Sequence, residues 1–154
     1  MELTHVTKDG VRMVDVSEKK EVKRVARARG RIYLKPSTVE KVLKGRVEKG
    51  NVLTTSQVAA TLSVKKTPEL IPMCHPLPIT GITVNFENGK NYIDVVVEVS
   101  TVAKTGIEME AITGVSTALL TIWDMVKAIE KDREGQYPGT KITDIVVEKK
   151  IKGE

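Results

Sequence analysis

The sequence predicts an α+β domain in which helices cover one face of an antiparallel sheet. Residues 82–86 and 93–99 alternate apolar and polar side chains with period two. Asn88 and Gly89, which lie between them, are typical of a hairpin turn. A long helical pattern follows the hairpin, and strand-like segments lie near both ends of the chain. The predicted order is therefore strand, two helices, hairpin, helix and strand.

Length and composition limit the classes of protein to which the chain can belong. The 154 residues carry 25 Lys and Arg against 20 Asp and Glu, a net charge of +5, and 40% of them are hydrophobic. These values are typical of one folded domain and argue against intrinsic disorder. We expect a single domain over residues 19–154, preceded by a loosely ordered segment over residues 1–18.

The inventory of cysteine and histidine excludes two classes of protein. Cys74 is the only cysteine, which excludes a disulfide scaffold, and with His5 and His75 it cannot complete a four-ligand zinc site. No uninterrupted apolar run reaches the roughly 18 residues that cross a membrane. The N-terminus also lacks a signal-peptide pattern. We therefore expect a cytoplasmic protein without membrane contact.

The first half of the chain predicts a strand, two helices and a loop. Residues 20–34 have the pattern of a strand with many basic positions. Pro36 opens a short helix that Gly45 stops, and a second helix extends from Val52 to about Lys66. The apolar side of the second helix consists of Val52, Leu53, Val58, Ala59 and Leu62. Prolines at positions 68, 72, 76 and 78 then predict a stiff extended loop over residues 67–78.

The second half predicts the hairpin, a long helix and a last strand. Thr105 and Glu108 fit a capping box at the start of the helix, which runs to about Arg133. Its apolar stripe occupies positions 112, 115, 119, 122, 126 and 129. Residues 142–147 predict the last strand, and a basic tail begins at Lys149.

The long helix carries an unusual charge pattern. Residues 111–123 form a run of 13 positions without a charged side chain. A helix that is uncharged on all sides is buried on most of them, and one small sheet cannot cover it, so we expect an oligomer. Asp124 and Lys127 follow at a spacing that puts them on one face. They form either a simple ion pair or an acid–base pair whose pKa values are tuned by burial.

Two further clusters are candidates for chemistry. Glu108 and Glu110 stand at the start of the long helix, where the helix dipole alone favours negative charge. Prolines flank Cys74 and His75, and the rigid backbone presents one imidazole for binding or proton transfer. A lone histidine is more often structural, and Cys74 is better interpreted as a small buried apolar residue. The basic candidates are Lys49, Lys65, Lys66 and Lys149.

Residues 19–31 form a basic tract. Such a tract suits phosphate contacts with nucleic acid, but single-strand readers add stacking aromatics and the tract contains none. A solvated strand is the favoured interpretation, and we expect no nucleic-acid partner. The sequence also lacks a glycine-rich phosphate loop and a dinucleotide fingerprint.

Four segments together closely resemble one protein family. They read MVDVS at residues 13–17, KKTPELIPMCHPL at 65–77, KTGIEMEA at 104–111 and IWDMVK at 122–127. Their order and spacing resemble the family of molybdenum cofactor biosynthesis protein C, the cyclic pyranopterin monophosphate synthases. The resemblance covers residues 10–150, approximately, and each segment alone would be far less specific.

The resemblance implies a fold, an assembly and a reaction. It implies a ferredoxin-like subunit, a hexamer built as a trimer of dimers, and sites at the dimer interface. The implied substrate is 3′,8-cyclo-7,8-dihydro-GTP, and the implied products are cyclic pyranopterin monophosphate and pyrophosphate. No cofactor is implied as required. Mg²⁺ could assist departure of pyrophosphate, but the sequence shows no carboxylate cage for it, and no protein metal site is expected.

The matched motifs also imply site residues. The catalytic pair falls on Asp124 and Lys127, and Arg24 is a weaker candidate. The substrate-binding residues fall on Lys49, Lys65, Cys74, His75, Glu108, Met109, Glu110 and Lys149. The tail departs from the family pattern, so the choice between Lys149 and Lys150 stays open.

Helix geometry adds an expectation that is independent of the family. Glu110 and Asp124 are 14 residues apart, and they are separated by about 21 Å at 1.5 Å per residue. If both serve one small site, they must come from different subunits. Two rival functions are a nucleic-acid-binding module that uses the basic tract and an assembly protein that uses the uncharged helix only as an interface.

Overall fold

The computed structural model describes residues 6–8 and 10–153. Four long strands form one antiparallel sheet in the order β4-β5-β3-β6. With α2 and α4 as the two crossover helices, this is the ferredoxin-like arrangement, which confirms the predicted fold class. The elements are β1 (Val6–Thr7), β2 (Gly10–Val11), β3 (Val22–Tyr33), α1 (Pro36–Leu43), α2 (Val52–Lys65), α3 (Thr67–Leu70), β4 (Ile79–Asn88), β5 (Tyr92–Ala103), α4 (Glu108–Glu130) and β6 (Lys141–Lys152).

The segment predicted to be loosely ordered contains a small ribbon. Within residues 1–18, β1 and β2 pair as antiparallel strands. Residues 1–5 and 9 lie outside the described residues, so the prediction for them is not addressed.

The core lies between the sheet and two helices. Side chains alternate along a strand, so Ala26, Ala28 and Ile32 of β3 face the helices, as does every second residue of β5. Gly114 of α4 lies so close to α2 that a Cβ there would come within 2.8 Å of Val64 Cγ2. Close packing of α4 on α2 therefore depends on a residue without a side chain.

Helix α4 is the central helix of this core. Its 23 residues, with a mean hydropathy of 1.3 over an 18-residue window, are long and apolar enough to cross a membrane by length and composition alone. No such span was expected from the sequence, because no uninterrupted apolar run reaches roughly 18 residues. In the structure, α4 packs on the sheet and on α2, with Val115, Leu119 and Ile122 fully buried. Packing in the core accounts for the apolar character of the buried face of α4, which makes up 39% of this window.

The predicted apolar side of α2 is correct only at the start of the helix, where Val52 is buried and Leu53 packs against the core. Val58 and Leu62 are 53% and 52% exposed, whereas Ser56 and Ala60 are fully buried. Small residues let α4 approach α2 closely, and the hydroxyl of Ser56 is satisfied within the helix by donating to the Val52 carbonyl at 2.8 Å. A serine whose hydroxyl donates to a carbonyl of its own helix can be buried as readily as an alanine. A pattern of polar and apolar residues does not show this possibility.

Three local predictions around the helix ends also differ from the structure. Residues predicted as part of an extended loop form the short helix α3, because Pro68 lies in its first turn, where a proline is tolerated. The expected capping box at the start of α4 does not form. Ile107 occupies the N-cap without a side-chain hydrogen bond, and the helix ends at Glu130 rather than at Arg133.

Three of the four arginines of the basic tract, Arg27, Arg29 and Arg31, lie on the open face of the sheet in ion pairs. Arg27 contacts Glu98 at 2.9 Å, and Arg31 contacts Asp94 at 2.7 Å. Arg29 contacts Glu87 at 2.6 Å. The acidic partners of Arg27 and Arg31 lie on the adjacent strand β5, whereas Glu87 lies on β4, two strands away from β3. This arrangement favours a structural strand over a phosphate-binding groove.

Candidate active site

A cleft of about 310 Å³ lies at the N-terminal end of α4. It gathers five residues that the sequence predicted as substrate-binding. Those residues are Cys74, His75, Glu108, Met109 and Glu110. The other lining residues are Val14, Val16, Lys19, Met73, Leu77, Thr105 and Gly106. The cleft therefore joins three chain segments that are far apart in the sequence.

The loop after α3 presents Cys74 and His75 to this cleft. The Cys74 N–H donates to the Ile71 carbonyl at 3.1 Å, which turns the chain. Farther along, the Thr101 hydroxyl donates to the Pro78 carbonyl and ties the end of the loop to β5. Burial raises the pKa of the Cys74 thiol, and the charges of Glu110 and Glu108 raise it further. A protonated, half-buried thiol suits a wall of the cleft better than a nucleophile.

The two carboxylates of the cleft have different surroundings. Glu110 is only 3% exposed, and burial raises the pKa of its carboxyl, with a further contribution from the charge of Glu108. Glu108 accepts a hydrogen bond from Lys150 at 3.3 Å through Oε1. Its buried Oε2 has no partner among the described residues. Glu108 Oε2 is therefore an unpartnered acceptor, and the carboxyl of Glu110, with its raised pKa, releases its proton at a higher pH than an ordinary glutamate does.

The second group lies toward the other end of α4, where Asp124 stands between two lysines. The Lys127 amine donates to Asp124 Oδ1 at 2.8 Å, and the Lys49 amine donates to the Asp124 carbonyl at 2.8 Å. Lys49 also approaches Asp124 Oδ2 at 3.4 Å. The structure thus joins three predicted residues into a cluster with two positive charges and one negative charge.

The pKa shifts in this cluster arise mainly from hydrogen bonds between charged groups rather than from burial. The hydrogen bond from Lys127, followed by that from Lys49, lowers the pKa of Asp124. The same bond to Asp124 raises the pKa of Lys127. All three side chains are between 42% and 59% exposed in the single chain. Lys127 is therefore an ammonium that can donate a proton or bind a phosphate, rather than a desolvated neutral amine.

The remaining predicted lysines lie outside both groups. Lys65 ends α2 and is exposed. Lys149 pairs with Arg27 across the strands, on the open face of the sheet. Lys150 is the residue whose amine reaches Glu108. Arg24 donates to the carbonyls of Ala103 and Lys104, which fixes the chain just before α4.

Lys19 lines the cleft although it was not predicted as a site residue. It follows the MVDVS segment, which carried part of the family resemblance but was given no role. The proximity of that segment to His75 in space was not visible in the sequence. Within the described part of the chain, no group of three His, Cys, Asp or Glu residues could hold a metal ion.

Replacing Glu110 with Gln should change how stability depends on pH. The folded-state pKa lies above the ordinary value of 4.5, so the folded protein retains a proton that the unfolded chain has already released. The contribution of this carboxyl to stability is therefore lost as the pH rises from about 4.5 through the folded-state pKa. Glu110→Gln should accordingly gain stability relative to the wild type over this range, and the difference should level off above it.

Urea unfolding at several pH values between 4 and 8 measures this difference. Glu87→Gln serves as the control, because Glu87 is exposed on the open face and far from the cleft. A difference between wild type and Glu110→Gln that does not vary with pH would contradict the assigned environment of Glu110.

Together, fold and site define a class of protein: a small ferredoxin-like α+β protein equipped to bind a polar, anionic ligand and to move protons. The chain belongs to the MoaC family, whose model matches residues 13–153. This result confirms the family resemblance seen in the sequence.

Curated relatives from several archaea support the same assignment. The chain is 58% identical over 154 residues to the "Probable cyclic pyranopterin monophosphate synthase" of Pyrococcus furiosus, covering 100% of this chain and 99% of the relative. A protein of the same name from Thermococcus kodakarensis is 59% identical, with 99% and 98% covered. Another from Methanosarcina acetivorans is 61% identical, with 97% and 95% covered.

Proposed function

We propose that this protein is a cyclic pyranopterin monophosphate synthase, a lyase of molybdenum cofactor biosynthesis. It converts 3′,8-cyclo-7,8-dihydro-GTP to cyclic pyranopterin monophosphate and releases pyrophosphate. The observation that carries this assignment is the 58% identity, over the whole chain, to a relative of that name. The paired carboxylates and the lysine cluster support it, because the reaction needs proton transfers and cations for phosphates.

The substrate makes three demands that the residues of the two groups can meet. Its triphosphate needs cations, its purine ring must open and rebuild as a pterin, and a sugar hydroxyl must attack the α-phosphate. We assign the guanine-derived edge to Glu108, whose free Oε2 can accept from an N–H group. Glu110 and His75 line the same cleft, and we assign proton relay to Glu110 and phosphate positioning to His75.

Asp124 and Lys127 take the catalytic roles in this proposal. The Lys127 ammonium, oriented by its 2.8 Å contact with Asp124, donates a proton or stabilises negative charge as the phosphate is attacked. Lys49 adds a second positive charge on the other side of Asp124. Lys65 and Lys149 are assigned to outer phosphate contacts made within an assembly.

We further propose that the two groups meet across a subunit interface. Both lie on α4 about 21 Å apart at 1.5 Å per residue, too far to act on one reacting centre within one chain. Leu120, in the middle of the uncharged stretch of α4, is 61% exposed in the single chain. We therefore propose a homohexamer, built as a trimer of dimers, in which each site combines one group from each of two subunits.

Shared sites predict that two inactive variants restore activity when mixed. If Glu110→Ala and Asp124→Ala subunits exchange at random, half of the dimers are mixed, and each mixed dimer has one intact site. About a quarter of the wild-type activity should return. A mixture of Asp124→Ala with Lys127→Met is the matched control. Both changes affect the same group, so no intact site can form.

Subunit exchange should be verified independently by mass spectrometry of labelled subunits. Recovery in the first mixture alone would agree with shared sites. Absence of recovery in both mixtures, despite complete exchange, would show that each subunit works alone.

Partners and cofactors follow from the same proposal. We expect a nucleotide-derived small molecule as substrate, a cytoplasmic location, and no membrane or nucleic-acid partner. We propose that no cofactor is required and that Mg²⁺, where it assists, is carried by the substrate phosphates. Activity measured with EDTA and with added Mg²⁺ tests this point.

The first test of the function is direct turnover. The purified protein is incubated with 3′,8-cyclo-7,8-dihydro-GTP while pyrophosphate release and the fluorescence of the oxidised pterin are recorded together. Equal amounts of both products are expected. A folded protein that forms neither product, with and without Mg²⁺, would refute the assignment.

A further inference from the structure

The loop that follows α4 crosses the face of the helix that carries Lys127. Trp123, Lys127 and Lys131 recur at intervals of four residues, so they lie in one row along α4 and the residue that caps it. The ring of Tyr137 contacts the ring of Trp123 edge to face, with 5.0 Å between the two centroids. The Lys131 amine lies 6.0 Å from the centroid of the Tyr137 ring. Tyr137 therefore lies against both ends of the row.

Lys127 occupies the middle of this row. Trp123 and Lys131 are about 12 Å apart along the axis, at 1.5 Å per residue, so a ring that approaches both lies over the position between them. The pKa of Lys127 gives further support. The hydrogen bond to Asp124 is the main cause that raises this pKa, and the phenol of Tyr137 makes a smaller contribution. The phenol is therefore close enough to act on the amine electrostatically.

Hydrogen bonds on both sides fix the loop that carries Tyr137. On one side, the Asp132 carboxylate accepts from the Gln136 N–H at 2.9 Å, and the Asp132 N–H donates to the Gln136 carbonyl at 2.9 Å. On the other side, the Thr140 hydroxyl donates to the buried Glu130 carboxylate at 2.7 Å. Tyr137 directly follows Gln136, so the position of its ring is set by the loop and not by Lys127.

The side chain of Lys127 needs such support because only its amine is held by a polar contact. The amine donates to Asp124 at 2.8 Å, but the side chain is 42% exposed in the single chain. An exposed ion pair holds a lysine weakly, since its long stem keeps many rotamers. An aromatic ring packed along the stem removes part of this freedom and places the amine for proton transfer.

We propose that Tyr137 is a positioning residue for Lys127: its ring packs against the carbon stem of Lys127 and holds the amine beside Asp124. The importance of this amine for catalysis rests on the function proposed above, whereas the packing of the ring does not. The ring supplies the contact and the hydroxyl is dispensable. Phenylalanine should therefore replace Tyr137, and alanine should not.

Tyr137→Ala, compared with Tyr137→Phe and Tyr33→Ala, tests the proposal in turnover. Tyr33 is a matched control on the open face of the sheet, because it also contacts a second ring edge to face, that of Tyr92, and has a lysine amine, that of Lys141, 5.2 Å from its centroid. Tyr137→Ala should lower kcat by about tenfold and change KM by less than about twofold, because a displaced catalytic group slows the chemical step. Tyr137→Phe and Tyr33→Ala should keep kcat within about twofold of the wild type.

Two further measurements distinguish positioning from a general loss of structure. When Tyr137→Ala is added to Lys127→Met, kcat should fall by less than about twofold further, because the amine through which Tyr137 acts is already absent. Brief labelling with an amine-specific acylating reagent, followed by mass spectrometry, measures the reactivity of Lys127 directly, with Lys44 as the internal reference. Tyr137→Ala should label Lys127 about twofold faster or more, because an amine released from Asp124 has a lower pKa and a larger neutral, nucleophilic fraction. Tyr137→Phe should label it at the wild-type rate.

The outcomes separate this proposal from the assignment of function. Equal kcat in Tyr137→Ala and Tyr33→Ala, together with unchanged labelling of Lys127, would overturn the positioning role. An equally large loss of kcat on adding Tyr137→Ala to Lys127→Met would also overturn it, since Tyr137 would then act on another group. If the wild type forms no product but Tyr137→Ala still accelerates labelling of Lys127, the synthase function is refuted and the positioning of Lys127 stands.

Discussion

Lys127→Met will lower turnover by at least about a hundredfold, the lower end of what a positioned acid or base contributes to a reaction. In the structure, the Lys127 amine is held at 2.8 Å from Asp124. Asp124 in turn keeps the amine charged, because their hydrogen bond raises the pKa of Lys127. Methionine preserves much of the length and volume of the side chain but removes the charge and the proton. Pyrophosphate release and pterin fluorescence should therefore fall together.

A matched pair of residues on α1 provides the control. Lys44 contacts Glu40 one helical turn away on an exposed surface, so Lys44→Met removes a comparable lysine from a comparable ion pair. Its activity should remain within about twofold of the wild type, since exposed pairs of this kind contribute little. If Lys127→Met retained its kcat and lost only affinity, Lys127 would be a binding residue and its catalytic assignment would be wrong.

Glu130→Ala will destabilise the fold by about 3–5 kcal/mol, the usual effect of disrupting a buried charged network. Glu130 is 1% exposed at the C-terminal end of α4. Its carboxylate accepts from the Lys35 N–H at 3.1 Å, from the Thr140 hydroxyl at 2.7 Å and from the Thr38 hydroxyl. One side chain thus joins α4 to the start of α1 and to the residue before β6. Alanine would leave two buried threonine hydroxyls and the Lys35 N–H without their acceptor.

Urea unfolding at fixed protein concentration measures this effect. Glu134→Ala is the control, because Glu134 lies exposed in the loop after α4 and its loss should change stability by less than about 0.5 kcal/mol. Glu130→Gln retains an acceptor oxygen and should fall between the two. A midpoint for Glu130→Ala that matched Glu134→Ala would show that the network does not stabilise the fold.

Much of the fold was predictable because its signals are local. The period-two pattern of β4 and β5 placed Val95 and Val97 in the core, where both are fully buried. The hairpin at Asn88 and the long helix were likewise correct. The incorrect predictions lie where a local sequence pattern is compatible with two different structures. Pro68 can end a helix or open one, and Ser56 can face water or bond its own helix.

The candidate site was harder to predict from local sequence patterns than the fold was. The motifs identified most residues of both groups, and helix spacing alone separated Glu110 from Asp124 by about 21 Å, but no local pattern showed which other residues join each cluster. The sequence left both a simple ion pair and a burial-tuned acid–base pair open for Asp124 and Lys127, and both side chains are exposed in the single chain. Burial is a property of the surrounding elements, and for this pair it depends on whether another subunit covers it.

The sequence by itself determined the order of the elements, the hairpin, the central helix and the family. Each of these follows from periodicity, turn residues or motif spacing, which are properties of residues close together in the chain. Only the tertiary structure decided which lysines reach the cleft. Register shifts in the pairing of β6 with β3 interrupt the alternation of faces, and they leave Lys150, rather than Lys149, beside Glu108, which is 42 residues away in the chain. Lys19 likewise reaches the cleft through a turn held by Lys104. Contacts between such distant residues depend on how the whole chain packs, and a local sequence pattern does not contain that information.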